Sequence, residues 1–427
     1  MPSGDFQANS HDGRSSASPP YLVVSADSHV GPSLRSQLRP YCPRQFLDAF
    51  DDYAESTPKI GAGLVAGRVL TAVGRRENDH RMAAEGLQDA SARLKDMDAA
   101  GVAADVLFAG GGNGEMLPFV GFGVGDGASP FDVVLQAAGS EIFNRWLSDY
   151  VSEEPTRLHG VGQITIVDLE TAIREVSRFR DLGLSAVNFP APRADFPAYS
   201  DPVYDPFWSV CEELDLPLLT HVGGGSILGS QGPGSRSIMW SEAAWIGRRA
   251  LWQLIFGGVF ERHPRLRLSF VENRADWVPS TCRDLDSIVL NDEYEPFDGQ
   301  PGTYRMPSEY WADNCSVVAS FMAPYEAALR HEVGVKNLIW GSDYPHLEGT
   351  WPYTLQHLRF VFADVPEDDV RLLVGENAVR LLNVDPAPLR AIADRIGPTP
   401  DEIATPLPKE EIPEFGGHAF RTRGAYA

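Results

Sequence analysis

Eight short runs of β-branched and other apolar residues recur along the chain, and a segment with helical spacing of apolar residues follows each run. The predicted strands are Tyr21–Ala26, Ala104–Phe108, Val161–Val167, Ala186–Phe189, Leu216–Thr220, Leu266–Val271, Ser316–Ala319 and Leu338–Trp340. Eight strands that alternate with helices favour a parallel sheet closed into a (β/α)8 (TIM) barrel. An open doubly wound sheet is the competing fold, but the Gly-rich segments 110–114 and 223–225 match neither a dinucleotide-binding nor a P-loop pattern.

Segments of different composition flank the predicted barrel. Residues 1–20 are rich in Ser, Gly, Asp and Asn without an apolar stretch, which predicts a disordered lead rather than a signal peptide. Residues 21–385 form the barrel, with a long insertion after the first strand, from Gly31 to Gln88, and a second insertion from Asn291 to Pro307. Residues 386–427 are rich in Pro, Glu and Gly, and we expect them to form a C-terminal extension on the surface.

The charge balance excludes several classes of partner. The chain has 36 Lys and Arg against 59 Asp and Glu, which gives a formal net charge of −23. Nucleic acids and anionic membranes repel such a negative field, so we expect neither as a partner. No stretch is apolar and long enough to predict a membrane helix. The four cysteines form no CxxC pair. The cytoplasm is the expected location of the protein.

Ionisable residues stand where predicted strands end. Asp27 and His29 follow the first strand two residues apart, a spacing that turns both side chains to one side of a strand. His221, Glu272 and Asp343 follow the fifth, sixth and eighth strands. The carboxyl ends of parallel barrel strands meet at one face, and a buried charge without a partner costs several kcal/mol. The pattern therefore predicts a metal site at that face.

Each of these residues also has a structural interpretation. Asp27 can cap a turn, His221 can be a hydrogen-bonded core histidine, and Glu272 can pair with Arg274. Asp343 can open a turn before Tyr344. The joint occurrence of four such residues at strand ends favours metal binding. The histidines in helical or terminal contexts are expected at the surface: His11, His80, His331, His357 and His418.

Five motifs carry a resemblance to a known family: Asp27-Ser-His29, Thr220-His-Val222, Phe260-Glu-Arg-His-Pro264, Gly341-Ser-Asp-Tyr-Pro-His346 and Gly375-Glu-Asn-Ala-Val-Arg-Leu-Leu382. Through them, residues 21–384 resemble the amidohydrolase-related (type 2) branch of metal-dependent TIM-barrel enzymes, which includes aminocarboxymuconate-semialdehyde decarboxylase. The resemblance implies that a divalent metal is bound by four residues, Asp27, His29, His221 and Asp343. The chain departs from the family's decarboxylases at Glu272, where they have a catalytic His. It also has no Lys after the fourth strand. The resemblance therefore implies that the carboxylated-lysine bridge of binuclear amidohydrolases is absent.

With Glu272 and His346 added, the ligand set is rich in carboxylates and resembles one that holds two Fe ions. The chain is also similar to a small group of amidohydrolase-fold proteins that includes a non-haem diiron monooxygenase of platensimycin biosynthesis. The similar loop signatures are Pro40-Tyr-Cys-Pro43, Arg248-Arg-Ala-Leu-Trp252 and His346-Leu-Glu-Gly349. This resemblance implies a monooxygenase that hydroxylates a bulky apolar substrate of terpenoid or acyl-CoA type. It also implies a separate ferredoxin or reductase, because the chain has no Fe–S cysteine cluster and no flavin motif.

We favour the monooxygenase, because Glu272 raises the number of carboxylates. In the alternative, one Zn or Mn lowers the pKa of a bound water toward ~7, and Asp343 or Glu272 relays the proton. That arrangement predicts a hydrolase, or a decarboxylase acting on a small carboxylate. Arg248, Arg249 and Trp240 are candidate substrate contacts, the arginines for an anionic group. We also expect a homodimer, since barrels of this family often pair and the C-terminal extension can reach a second subunit.

Overall fold

The computed structural model describes residues 18–65, 72–120, 132–193, 196–221, 232–290, 305–414 and 416–422. Within these residues, eight parallel strands neighbour one another in chain order: β1 (Val24–Val30), β2 (Ala104–Ala109), β3 (Leu158–Gly162), β4 (Ala186–Asn188), β5 (Leu218–His221), β6 (Leu268–Val271), β7 (Cys315–Ser320) and β8 (Leu338–Gly341). The sheet closes where the backbone N–H of His29 donates to Tyr344 over 2.7 Å and that of Asp343 donates to Asp27 over 2.9 Å. The predicted (β/α)8 barrel is confirmed.

Helices connect the strands and cover the outside of the barrel. They are α1 (Leu47–Val65), α2 (Ala72–Met82), α3 (Ala90–Ala100), α4 (Val133–Ser152), α5 (Leu169–Val176), α6 (Asp205–Glu213), α7 (Ser235–Phe256), α8 (Val259–Arg262), α9 (Val278–Val289), α10 (Pro307–Asn314), α11 (Pro324–Ala328), α12 (Arg330–Val333), α13 (Thr354–Phe362), α14 (Glu367–Arg371), α15 (Asn377–Leu382), α16 (Pro386–Ile396) and α17 (Pro400–Ile403). Two short π-helices, Leu34–Leu38 and Leu372–Glu376, add to the layer around the barrel.

Two apolar cores follow from the alternation of side chains along each strand. Leu218 packs outward in the larger core between barrel and helices, while Leu219 packs inside the barrel with Val161 and Val271. All four side chains are fully buried. His221 lies two residues beyond Leu219, so the same alternation turns its imidazole into the barrel at the carboxyl ends of the strands.

A β-bulge in β1 sets the direction of the first two candidate ligands. Ser25 pairs with Asp105 of β2, but Ser28 pairs with Leu107, so β1 carries one extra residue at this point. Such an extra residue shifts the alternation of side chains by one position. Ala26 packs inside the barrel, and beyond the bulge Asp27 also reaches inside, where its carboxylate lies near His221.

Two strands were predicted with wrong bounds at both ends. The first strand was predicted as Tyr21–Ala26, but β1 begins at Val24 and continues to Val30, because the backbone of His29 still pairs with the residues after β8. The third strand was predicted as Val161–Val167, but β3 begins at Leu158 and ends at Gly162. Beyond it, the side-chain amide of Asn144 on α4 bonds both the N–H and the carbonyl of Gln163 and replaces a neighbouring strand.

The segments outside the barrel pack against it where the structure describes them. The insertion after β1 contributes α1 and α2. The C-terminal residues begin with α16. Just after this helix, the carbonyl of Pro398 accepts a hydrogen bond from the N–H of Tyr21 over 2.8 Å. The predicted lead falls almost wholly on residues 1–17, and most of the second insertion on residues 291–304, and these ranges lie outside the described residues. In the described part of the chain, no helix has the length and apolar character of a membrane span.

Candidate metal centre

Four buried side chains, from β1, β5 and the residues after β8, meet at the carboxyl end of the barrel. Nε2 of His221 lies 3.3 Å from Oδ1 of Asp27, and Nε2 of His29 lies 3.5 Å from the same oxygen. Nε2 of His29 also lies 3.2 Å from Oδ1 of Asp343. Asp27 and Asp343 are fully buried, and the two histidines are nearly so. Side chains distant in sequence therefore present two imidazoles and two carboxylates to one small volume.

The spacing and the hydrogen bonding of these atoms fit a divalent cation. Ligand atoms about 2.1 Å from one ion are about 3.0–3.4 Å apart at octahedral and tetrahedral angles, which is close to the separations above. Nε2 of His29 and Oδ2 of Asp343 are buried, and no donor or acceptor among the described residues is aligned for a hydrogen bond with either atom. Buried polar atoms without such partners are rare and costly, and a shared cation satisfies both.

Hydrogen bonds at the far side of each ligand hold it in place. Nδ1 of His29 faces the carbonyl of Ala109 at 3.1 Å, and because a carbonyl only accepts, this contact leaves the proton on Nδ1 and the lone pair on Nε2. The hydroxyl of Ser320, the last residue of β7, donates to Oδ2 of Asp27. The other carboxylate oxygen of Asp27 is thereby the one that faces the two histidines.

Two of the acidic residues have a left-handed backbone. Asp343 has φ = 56° and Glu272 has φ = 54°, values that cost a non-glycine residue about 1 kcal/mol or more. Each stands within two residues of the end of its strand, β8 or β6. Strain of this kind is concentrated where a fold must direct a side chain, and here both carboxylates belong to the same cluster.

His346 bonds to Asp343 rather than lying free in the cluster. Its Nδ1 is 2.8 Å from Oδ1 of Asp343, its Nε2 is 2.9 Å from the carbonyl of Gly110, and its ring stacks on that of His29 at 4.0 Å. Burial opposes a charge on His346, but the carboxylate of Asp343 outweighs it and raises the pKa of His346 to about 9. Burial likewise opposes ionisation of Asp343, yet His346 and His29 hold the pKa of Asp343 below its usual value.

Glu272 and Glu348 lie toward the open side of the cluster. Oε2 of Glu272 is 3.8 Å from Nδ1 of His221, and its side chain is 16% exposed. One carboxylate oxygen each of Glu272, Asp343 and Glu348 lie within 4.8 Å of one another. Sequence reasoning missed Glu348 as a candidate, although it stands only two residues after His346 in the loop that follows β8.

The predicted substrate contacts on α7 have other partners in this structure. Nε of Arg248 donates to Oδ1 of Asn273 over 2.9 Å, and its guanidinium lies 4.7 Å from the ring centre of Trp277. Burial lowers the pKa of Arg248 to about 10, and Arg249 is partly buried on the same helix. The side chain of Trp240 lies outside the described side chains.

The insertion after β1 reaches the cluster through a residue that the sequence did not single out. Arg81 on α2 is buried, and its Nη1 donates to the carbonyls of His346 over 2.8 Å and of Gly349 over 3.1 Å. Its other side pairs with Glu77 one turn earlier on the helix. Arg81 therefore fixes the loop that carries His346 and Glu348.

Comparisons with known proteins point to one family. The sequence model of the amidohydrolase family matches residues 116–384. The chain is 25% identical over 266 residues to 2-amino-3-carboxymuconate-6-semialdehyde decarboxylase of Dictyostelium discoideum, covering 58% of this chain and 67% of that protein. It is 25% identical over 332 residues to gamma-resorcylate decarboxylase of Rhizobium sp. (strain MTP-10005), covering 73% of this chain and 91% of that one.

A solved structure shows the same fold. The manganese-bound 5-carboxyvanillate decarboxylase of Novosphingobium aromaticivorans superposes with a TM-score of 0.62 at 18% identity, over 85% of this chain and 97% of that one.

These comparisons overturn the predicted diiron monooxygenase. The similar proteins include three kinds of decarboxylase, and the metal named in the similar structures is manganese. The prediction of an oxidoreductase in antibiotic biosynthesis is wrong, and the two Fe ions and the ferredoxin or reductase that it required lose their basis. It relied on counting Glu272 as a ligand that needs a second metal. In the structure Glu272 lies beside His221, and an acidic side chain near an imidazole needs no such ion.

Proposed function

Because the chain belongs to the amidohydrolase family, whose sequence model spans residues 116–384, we propose that it is a metal-dependent decarboxylase acting on a small carboxylic acid. The observation that carries the proposal is the buried convergence of Asp27, His29, His221 and Asp343. Among the described residues, Nε2 of His29 and Oδ2 of Asp343 have no aligned hydrogen-bond partner. The reaction is inferred from the similar proteins, which are decarboxylases of aromatic and muconate acids.

One divalent cation, manganese, is the proposed cofactor. Ligands of mixed imidazole and carboxylate type suit this ion, and similar decarboxylase structures contain it. Asp27 and Asp343 supply the two negative charges that balance a dication, while His29 and His221 supply neutral nitrogens. When bound, the cation would act as a Lewis acid that polarises oxygen atoms of the substrate and stabilises the charge left on carbon.

Glu272 is the proposed proton carrier. Loss of CO2 replaces a C–C bond by a C–H bond, so a proton has to reach the carbon. Glu272 stands at the open side of the cluster, beside His221, and can hold that proton at its carboxyl group. Asp343 has a pKa below its usual value and stays ionised, which suits a ligand and not an acid. His346, bonded to Asp343, keeps that carboxylate oriented.

The substrate's anionic group is proposed to face α7. Arg248 donates to the side chain of Asn273, the residue that follows the proposed proton carrier Glu272. Arg249 and Trp240 of the same helix stay predictions as further substrate contacts.

Decarboxylation of defined acids tests the proposal. Protein freed of metal and reloaded with Mn²⁺ is expected to release CO2 from an aromatic acid such as 2,6-dihydroxybenzoate or 5-carboxyvanillate. The Glu272→Gln variant should keep its Mn²⁺ and lose about 10²–10⁴-fold in rate, as expected for the loss of a general acid. His29→Ala should lose the metal as well as the activity. A fully loaded protein that releases no CO2 from any of a broad set of such acids would refute the proposed reaction.

Hydrolysis is the second candidate, and Glu272 is the observation that favours it. The decarboxylases are expected to have a His at this position, whereas a carboxylate here can accept a proton from an attacking water. The same loaded protein, assayed with small amides and lactones, separates the two reactions. Hydrolysis without CO2 release would replace the first proposal by the second.

A further inference from the structure

Arg93 is a fully buried arginine that contacts both strands at the seam of the barrel. It lies on α3, and its Nε donates to Oδ2 of Asp105 on β2 over 2.7 Å. Its Nη1 donates to the backbone carbonyl of His29 over 2.9 Å, and its guanidinium lies 3.8 Å from the ring centre of Tyr344. The arginine thus contacts one candidate ligand through its backbone and the residue that follows another.

The contacts of Arg93 coincide with the closure of the barrel. The N–H of His29 donates to the carbonyl of Tyr344 over 2.7 Å, so Arg93 contacts both residues of this bridge between β1 and the residues after β8. Tyr344 is fixed a second time by α3, since its hydroxyl donates to Oδ2 of Asp96 over 2.6 Å. Helix α3 therefore holds the two backbones that carry His29 and Asp343.

Stability alone gives a weak reason for this arrangement. Replacing a buried ion pair by apolar side chains of similar volume is often neutral or stabilising, because the desolvation of both charges offsets their attraction. A guanidinium differs from such side chains in directing several donors along fixed lines within one plane. Here one N–H group of Arg93 points to Asp105 and another to the backbone carbonyl of His29. The arginine therefore fixes the backbone of His29, and with it the position of the imidazole.

We propose that Arg93 is a positioning residue for the metal centre, acting through the carbonyl of His29 and the ring of Tyr344. The inference rests on the proposed metal site and adds a requirement that lies outside the ligands. Ligand groups have to be held within about 0.5 Å of their working geometry, and without Arg93 the seam between β1 and β8 loses a contact on each side. Metal affinity, rather than folding, is then the property that depends on Arg93.

The test measures Mn²⁺ binding to metal-free protein by calorimetry, and the EPR spectrum of the bound ion, together with thermal unfolding. Arg93→Met alone leaves Asp105 as an unpaired buried charge, so the informative variants are Arg93→Met/Asp105→Leu, which removes both charges, and Arg93→Lys, which keeps one cation. Arg157→Met is the matched control. Arg157 is also buried, pairs with Asp98 over 2.8 Å and donates to the carbonyls of Ala103 and Val102, just before β2 begins at the other end of the barrel.

We expect both Arg93 variants to bind Mn²⁺ about tenfold or more weakly and to give a changed EPR spectrum, since supporting contacts of metal ligands have effects of this size. The control should lose thermal stability and keep its affinity. Wild-type affinity in a folded Arg93 variant, or an equal loss in the Arg157 control, would overturn the inference. A wild-type protein that binds no Mn²⁺ would instead overturn the proposed metal site itself, and Arg93 would then have no centre to position.

Discussion

At the scale of single residues, the cluster depends on groups that never reach its centre. His29 presents Nε2 because Ala109 accepts at Nδ1, and Asp27 presents one oxygen because Ser320 donates to the other. The left-handed backbone of Asp343 belongs to the same pattern. Orientation of this kind commonly decides how tightly a site binds its metal.

Removing the hydroxyl of Ser320 should therefore weaken metal binding without unfolding the barrel. Ser320→Ala frees Oδ2 of Asp27, and we expect the dissociation constant for Mn²⁺ to rise about 10–100-fold. Ser316→Ala is the control on the same strand, because its hydroxyl bonds to Ser269 instead, over 2.9 Å. Calorimetric titration of both variants checks this, and equal affinities in the two would count against a role for Ser320 in orienting Asp27.

The sequence indicated the clustered residues because each stands at the end of an apolar run or within three residues after it. Their supporting contacts are tertiary and leave no local pattern. Ser320 and Arg81 look like ordinary strand-end and helix residues until the fold brings them together. His357 shows the opposite error. It was expected at the surface, but it is fully buried on α13, because the ring of Phe420 in the C-terminal extension lies 5.8 Å from its own.

At the scale of elements, the hydrophobic pattern of the sequence predicted the order of the strands but not their local geometry. The predicted strands occur in the predicted order among the described residues, since a buried parallel strand is a continuous apolar run. The bulge between Ser25 and Ser28 has no such signature, because an extra residue on one strand is defined only against its partner. It is nevertheless the feature that turns Asp27 inward.

Close packing of a helix on a loop gives a test at this scale. Gly139 lies inside α4, and a Cβ there would come within 1.8 Å of the carbonyl oxygen of Pro118. Gly247 lies inside α7, where the nearest atom to an added Cβ is 3.7 Å away. Gly139→Ala should lower the free energy of unfolding by about 1–3 kcal/mol, because the backbone has to move. Gly247→Ala should leave it unchanged or raise it by up to about 1 kcal/mol.

Urea unfolding of the two glycine variants measures this difference. Equal stabilities would show that α4 can shift away from residue 118 without loss, and the close approach of helix and loop would then contribute nothing to stability.

At the scale of the whole molecule, the insertion after β1 and the C-terminal residues both support the loops at the carboxyl end of the barrel. Arg81 of the insertion fixes the loop after β8, and residues 416–422 pack on the residues after β7, where Arg421 donates to the carbonyl of Phe321 over 3.2 Å. The ring of His418 lies 5.2 Å from that of Phe321. Since Phe321 directly follows Ser320, the C-terminal extension supports the strand end that orients Asp27.

Burial of His357 beneath this extension makes the fold sensitive to acid. Burial, assisted by the charge of Arg421, lowers the pKa of His357 to about 3, whereas an unfolded chain has a histidine pKa of about 6.5. Below that value the unfolded chain takes up a proton that the folded protein refuses, so the free energy of unfolding falls by about 1.4 kcal/mol for each pH unit. The contribution is complete above about pH 6.5 and is lost as the pH falls toward 3.

Urea unfolding of wild type and His357→Phe between about pH 7 and pH 5 isolates this effect, because the other titrating groups are common to both proteins. Phenylalanine fits among the rings of Trp340 and Phe420 and does not titrate. We expect wild type to lose about 2 kcal/mol more than the variant over that interval. An equal loss of unfolding free energy in the two proteins would mean that the C-terminal extension opens and lets His357 take up its proton while the barrel stays folded. Packing of the extension on the barrel would then not be part of the cooperative unfolding transition.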